Sequence, residues 1–285
     1  MKTIGQVLSL STSYLQEKGI ERPRRNAEEL LAFHLRMKRL DLYMQFDRPL
    51  EEEELSLFRN ALRSKGKGIP LEYIMGEMDF FGLKLCLSPA VLIPRQETEI
   101  FLQYVVDCID PLFLRNAIAW DLCTGSGCLG LGLKKIFLDF QLTLSDTCEK
   151  ALEIAKKNAE KNGLAVAFSK GDLLTPFQGR KADLILCNPP YVSEREYGAL
   201  AKEVRDFEPK QALLAGPTGL EFYERLAKQL PAYLNPGAKI FFEIGSSQAP
   251  ALYRLFKGPK WKQVSIEKDW AGHDRFFSAI FLEVE

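Results

Sequence analysis

Between Ala182 and Tyr191 the chain reads Ala-Asp-Leu-Ile-Leu-Cys-Asn-Pro-Pro-Tyr, and few backbones accept that order of residues. The first half is a nearly unbroken apolar run, suited to a strand buried on both faces of a parallel sheet. Pro189 and Pro190 then stop the strand, since neither can donate to a ladder and both have a nearly fixed φ. The expected product is a stiff loop at the carboxyl edge of a sheet, where open α/β folds hold ligands. Asn188 offers both an acceptor oxygen and an NH2 donor, Pro189 aims its main-chain carbonyl in a restricted direction, and Tyr191 adds a flat face. Asn188, Pro189, Pro190 and Tyr191 can thus grip a planar NH2 group, accepting both its protons and leaving its lone pair outward. The plainer alternative is a Pro-rich turn after a strand.

From about residue 117 the chain alternates strand and helix, which predicts a parallel sheet. The expected strands are Ala117–Leu122, Gln141–Asp146, Ala165–Ser169, Ala182–Cys187, Ala238–Ile244, Val264–Glu267 and Arg275–Leu282. A long irregular stretch is expected between the Pro-Pro loop and Leu214. Residues 1 to about 75 read instead as helices. Ile4, Val7, Leu8, Tyr14 and Leu15 share one helical face; Pro23 suits the start of a second helix; Glu51 to Glu54 suit the start of another. Phe80 to Leu85 reads as a hairpin joining the two parts. The expected organisation is a helical domain over 1–75, a β-hairpin linker over 76–90 and a catalytic domain over 91–285.

Gly125-Ser126-Gly127-Cys128-Leu129-Gly130 follows the first strand and opens a helix, satisfying G-x-G-x-x-G. Asp146 ends the next strand, 19 residues past Gly127, where a carboxylate grips ribose hydroxyls. On that evidence alone a nicotinamide dinucleotide and S-adenosylmethionine are equally suited. Two acids favour S-adenosylmethionine. Asp121 sits just before the glycines, where it would repel a pyrophosphate but can face the ammonium of a methionine moiety. Asp172, beside Leu173, ends the third strand and is placed to accept from an adenine amino group. The candidate cofactor set is Asp121, Cys123, Thr124, Gly125, Ser126, Gly127, Asp146, Asp172, Leu173 and Asn188. Arg95, Glu97 and Glu99 either cap the helix they open or sit over the pocket; spacing leaves both open.

Charge and cysteines narrow the class further. The formal net charge is +0, against the basic surplus of a binder that relies on phosphate contacts. Six cysteines without CxxC spacing read as reduced core residues of a cytoplasmic protein. Two histidines, with no close Cys/His pairs, predict no metal site. No signal peptide is expected at the N-terminus, and no apolar run reaches the ~18 residues that span a bilayer.

Asp121 to Gly127, Asp146 and Asn188-Pro189-Pro190-Tyr191 together resemble the class I methyltransferases that methylate planar nitrogens. Ile93 to Glu99, Phe207-Glu208-Pro209, Gly216 to Leu220, Glu243-Ile244-Gly245 and Gly272 to Arg275 narrow the resemblance. With the helical N-terminal part, the chain resembles the HemK/PrmC family, the peptide chain release factor glutamine methyltransferases, over essentially its whole length. One departure is Cys123, where many members carry a further glycine; a small thiol is expected to fit. The resemblance implies a Rossmann-like seven-stranded sheet with an antiparallel last strand. It also implies a helical domain that holds a class I release factor, and S-adenosylmethionine-dependent methylation of the glutamine amide in that factor's Gly-Gly-Gln loop. A ribosomal-protein glutamine and a DNA adenine N6 are the alternative acceptors. Neutral charge and the lack of a large target-recognition insert weigh against DNA.

Overall fold

The computed structural model describes residues 1–110 and 115–283. Two compact units emerge, Met1–Glu77 with Ala201–Phe207, and Met78–Leu200 with the chain from Glu208 onward.

The first unit holds helices α1 (Ile4–Glu17), α2 (Pro23–Leu35), α3 (Arg39–Met44), α4 (Glu52–Gly66) and α5 (Leu71–Met75). Thr3 and Gln6 cap α1 reciprocally, and Glu54 returns to the Glu51 amide at the start of α4. Each cap satisfies an amide that the first turn would leave without a partner. The apolar faces of these helices meet around Leu8, Leu30, Leu31 and Phe58. The apolar stretch Leu40 to Phe46 is largely helical as α3.

A hairpin of β1 (Glu77–Phe80) and β2 (Leu83–Cys86) follows, lying from Met78 onward in the second unit. Phe81 and Gly82 turn it, both at positive φ (49° and 71°), as a two-residue hairpin requires. Helix α6 (Gln96–Cys108) follows, then β3 (Ile118–Leu122), α7 (Cys128–Ile136), β4 (Gln141–Asp146), α8 (Glu149–Lys161), β5 (Ala167–Lys170) and β6 (Ala182–Cys187). The stretch expected to be irregular carries short elements: β7 (Val192–Ser193), α9 (Glu194–Tyr197), α10 (Lys202–Phe207), α11 (Lys210–Leu213) and β8 (Leu214–Gly216). Of these, α10 lies in the segment that belongs to the first unit. The chain ends with α12 (Glu221–Gln229), β9 (Leu234–Glu243), α13 (Ala249–Leu255), β10 (Trp261–Lys268) and β11 (Asp274–Phe281). Strand β9 starts four residues earlier than expected. Gly237, at φ 83°, lets it continue past Pro236, and the register against β6 shifts there instead of breaking.

The main sheet runs β10-β11-β9-β6-β3-β4-β5. β11 pairs antiparallel with both neighbours, and the other pairings are parallel. The seven strands with an antiparallel last strand are thus as expected. Alternating residues of the central strands enter opposite layers. Ala119, Leu184 and Leu186 pack on one face; Trp120, Leu122, Ile185 and Cys187 pack on the other. This double cover is why β6 reads as an unbroken apolar run. Strand order reverses on either side of β3 and β6, and a crevice opens outside the carboxyl ends at such a switch point. Register aligns those ends, with Leu122 beside Ser145 and Cys187, and Cys187 beside Phe242.

Candidate active site

A cleft lies at that switch point, enclosing about 990 Å³ including its open mouth. It is built wholly within the second unit. Asp121, Cys123, Thr124, Gly125, Ser126, Asp146, Asp172, Leu173, Asn188 and Pro190 line it. Three expected residues do not. Gly127 is buried as the N-cap of α7, and neither Pro189 nor Tyr191 contributes to the lining.

The glycine turn is held by carboxylates. Asp121 is 1% exposed, and its Oδ2 accepts from Thr124 Oγ1 (2.5 Å) and from the Gly130 amide (3.0 Å). Its Oδ1 is buried with no partner. Burial pushes this carboxyl up to about 7, against the pull of Thr124 and Gly130. An orphaned carboxylate oxygen bordering a cleft is a seat for a cationic donor. Asp146 accepts from the amides of Gly125 and Cys148, both at 2.9 Å. Burial raises its carboxyl too, and the two amides hold it back.

Two glycines have steric reasons to be there. At Gly130 a Cβ would stand 2.1 Å from Leu144 and 2.9 Å from Asp121 Oδ2, so only glycine lets α7 approach the sheet and donate to Asp121. Gly127 sits at φ 83°, with Leu131 and Ala155 close by. Cys123 also has positive φ, 55°. The left-handed turn explains why glycine is favoured at that place, and the thiol bears a cost there of about 1 kcal/mol.

At the adenine end expected from sequence, Asp172 Oδ2 is engaged by Arg225 at 2.5 Å, an ion pair that spacing did not show. Leu173 adopts φ 50° and is buried. Phe222, from α12, adds an aromatic wall. No polar signature marked Phe222 in the sequence; only its place after Gly216 to Leu220 pointed near it.

The Asn188 end is framed by groups distant in sequence. Thr98 Oγ1 donates to Glu243 Oε2 at 2.8 Å, and both residues are buried. Tyr223 OH donates to the Glu243 main-chain carbonyl at 2.7 Å. Gln248 Nε2 donates to the carbonyls of Tyr191 (3.0 Å) and Gly219 (2.9 Å), tying the Pro-Pro loop to the α12 entrance. Burial raises the Tyr191 hydroxyl well above its usual range. Arg95, left open by sequence, pairs with buried Glu208, and Glu208 Oε2 also accepts from the Ile93 amide at 3.1 Å. Glu97 faces Glu243 and Tyr191 electrostatically.

The cysteines depart from the expected core role. Only Cys128 and Cys187 are buried, and Cys123, Cys128 and Cys148 border the cleft. Among the described residues no three His, Cys, Asp or Glu side chains are grouped to hold a metal ion. No helix among them is long and apolar enough to cross a membrane.

A parallel sheet with one antiparallel strand and a glycine turn at its switch point defines a class I methyltransferase. The fold is shared with a methyltransferase from Pyrococcus furiosus (TM-score 0.53, 21% identity, 82% of this chain and 100% of that one). It is also shared with a T. thermophilus 16S rRNA N2 methyltransferase solved with AdoMet and guanosine (TM-score 0.53, 16% identity, 73% and 50%). Residues 6–76 match the PrmC N-terminal domain and residues 98–206 the methyltransferase small domain. The chain is 40% identical to a release factor glutamine methyltransferase of Chlamydia trachomatis, over 98% of this chain and 93% of that protein. It is 37% identical to one of Bacillus subtilis, over 98% of each. The chain belongs to the release factor glutamine methyltransferase family.

Proposed function

We propose that this chain transfers a methyl group from S-adenosylmethionine to the side-chain amide nitrogen of the Gly-Gly-Gln glutamine of class I peptide chain release factors. The observation that carries the cofactor reading is the orphaned Asp121 Oδ1 at the cleft. The acceptor reading rests on Asn188 in the same cleft and on family membership. S-adenosylmethionine, when bound, supplies an electrophilic methyl on a sulfonium. Asp121 Oδ1 would take its ammonium, Asp146 its ribose hydroxyls, and Asp172 with Leu173 its adenine edge. Cys123, Thr124, Gly125, Ser126 and Gly127 form the turn that brings backbone close to it.

An amide nitrogen is a poor nucleophile because its lone pair is delocalised into the carbonyl. The Asn188 side-chain oxygen and the Pro189 carbonyl would each accept one N–H of the glutamine amide. Held so, the nitrogen is oriented toward the donor, and fixed dipoles stabilise positive charge as it develops. Orientation alone is worth up to ~7–11 kcal/mol. Tyr191 packs on the amide plane in this reading, Pro190 keeps the loop stiff, and no strong base is needed once methylation makes the N–H acidic.

The test is methyl transfer from labelled S-adenosylmethionine to purified release factor, to that factor with its Gly-Gly-Gln glutamine replaced, and to unmethylated duplex DNA. Label on the intact factor alone is expected. Label on DNA, or on the factor lacking that glutamine, would overturn the reading.

A further inference from the structure

An asparagine amide is nearly symmetric in shape, yet only one of its two orientations can accept a proton from a substrate. The choice lies one strand away. Cys187 and Phe242 are register partners, so Asn188, the first residue past β6, comes beside Glu243, the last residue of β9. Glu243 is 2% exposed, fixed by Thr98 at 2.8 Å through Oε2, and its backbone carbonyl is held by Tyr223. Asn188 and Thr98 line the cleft, and Glu243 stands behind them.

We infer that Glu243, held by Thr98, is a positioning residue that draws the Asn188 NH2 toward itself and so turns the Asn188 oxygen to the acceptor amide. The inference rests on the acceptor role proposed for Asn188. An ionised carboxylate has only acceptors, so it can be satisfied by the NH2 end alone. Asn188, beside this carboxyl, favours the ionised form of Glu243, as that orientation requires. A protonated carboxyl gains a donor and can bond the Asn188 oxygen instead, which withdraws it from substrate.

The groups that face Glu243 come from several neighbouring elements. They are Thr98 and Glu97 of α6, Arg275 of β11, Asn188 and Tyr191 of the loop, Cys128 of α7 and Tyr223 of α12. Burial pushes the Glu243 carboxyl up to about 7; Thr98, Arg275 and Asn188 oppose that, and Glu97 adds to it. The orienting form therefore dominates above about pH 7 and is lost as pH falls through that value.

The full-length chain, Glu243→Gln and Glu243→Leu are compared with labelled S-adenosylmethionine at saturation and purified release factor, from pH 5.5 to 8.5. Saturation keeps Asp121 titration out of kcat. Glu243→Leu should lower kcat about 10–100-fold with KM and cofactor Kd within about threefold. Glu243→Gln, which retains a neutral acceptor but does not titrate, should fall between and lose the acidic limb of kcat. The Asn188 side-chain 15N–H resonances, assigned by their loss in Asn188→Ala, should titrate near pH 7 in the wild type and stay flat in Glu243→Gln. Wild-type kcat in Glu243→Leu, an acidic limb retained in Glu243→Gln, or Asn188 resonances that ignore pH would overturn the assignment. Because the resonances are read without substrate, they test Glu243 even if the wild type fails to label the factor, an outcome that would count against the acceptor reading alone.

Discussion

Asp121 carries a buried carboxyl whose ordinary value of 3.8 is pushed to about 7 in the fold. The unfolded chain gives up this proton near 3.8, whereas the folded chain holds it to about 7. The native state thus binds more protons between those values, and stability falls as pH rises through that window, then levels above it. The stability difference between wild type and Asp121→Asn, read from denaturant melts without cofactor, should change in Asn's favour between about pH 4 and 7 and be constant beyond. A cation seated against Oδ1 would reverse the shift, so cofactor binding near pH 7 should release a fraction of a proton, measurable by calorimetry in buffers of different ionisation enthalpy. Asn188 makes the complementary case on the acceptor side. Asn188→Ala should reduce methyl transfer at least about 100-fold, in line with losing one oriented dipole at the reacting centre, while cofactor Kd changes only a few-fold. Near-normal turnover in that variant would refute the gripping role.

Helix α7 and its turn show what a single methyl can do to an element. A Cβ at residue 130 meets Leu144 and Asp121 together, so Gly130→Ala must push α7 off the sheet and weaken the 3.0 Å bond to Asp121. The expected cost is roughly 1–3 kcal/mol, with cofactor affinity falling at least tenfold by calorimetry. Cys123→Gly, at φ 55°, should leave that affinity unchanged, and Cys123→Val should not. The same contrast explains what could be read from the sequence. β3 and β6 were legible because burial on both faces leaves a largely apolar run, β4 by its place in the strand–helix alternation, and Asp121 and Asp146 as strand ends beside a glycine turn. The elements from Val192 to Gly216 were not, since each is six residues or shorter and shows no period. The closeness of Glu243 to Asn188 was hidden differently: 55 positions separate them, and only strand pairing brings them side by side. Arg225 reaches Asp172 across a similar distance, through the packing of α12.

At the scale of the molecule, the first unit is not one continuous stretch of chain. Ala201–Phe207 belongs to it, fastened where Lys65, 3% exposed in its side chain, bonds Glu203 at 2.8 Å. Glu203→Ala would leave a buried ammonium without its anion, at a cost of roughly 1.5–3 kcal/mol for the lost charged hydrogen bond. Amide exchange should quicken in residues 201–207 and at the end of α4, with cofactor affinity within about twofold of wild type; unchanged exchange there would count against the pair. Such a fold also limits how genes can be recombined. A single crossover near residue 77 would graft a relative's helices onto this chain's own 201–207, leaving residue 65 of one lineage opposite residue 203 of another. Exchange of the helical unit as a working module requires three junctions, one after residue 77 and one on each side of 201–207, and the seven residues that close it must travel with its N-terminal part.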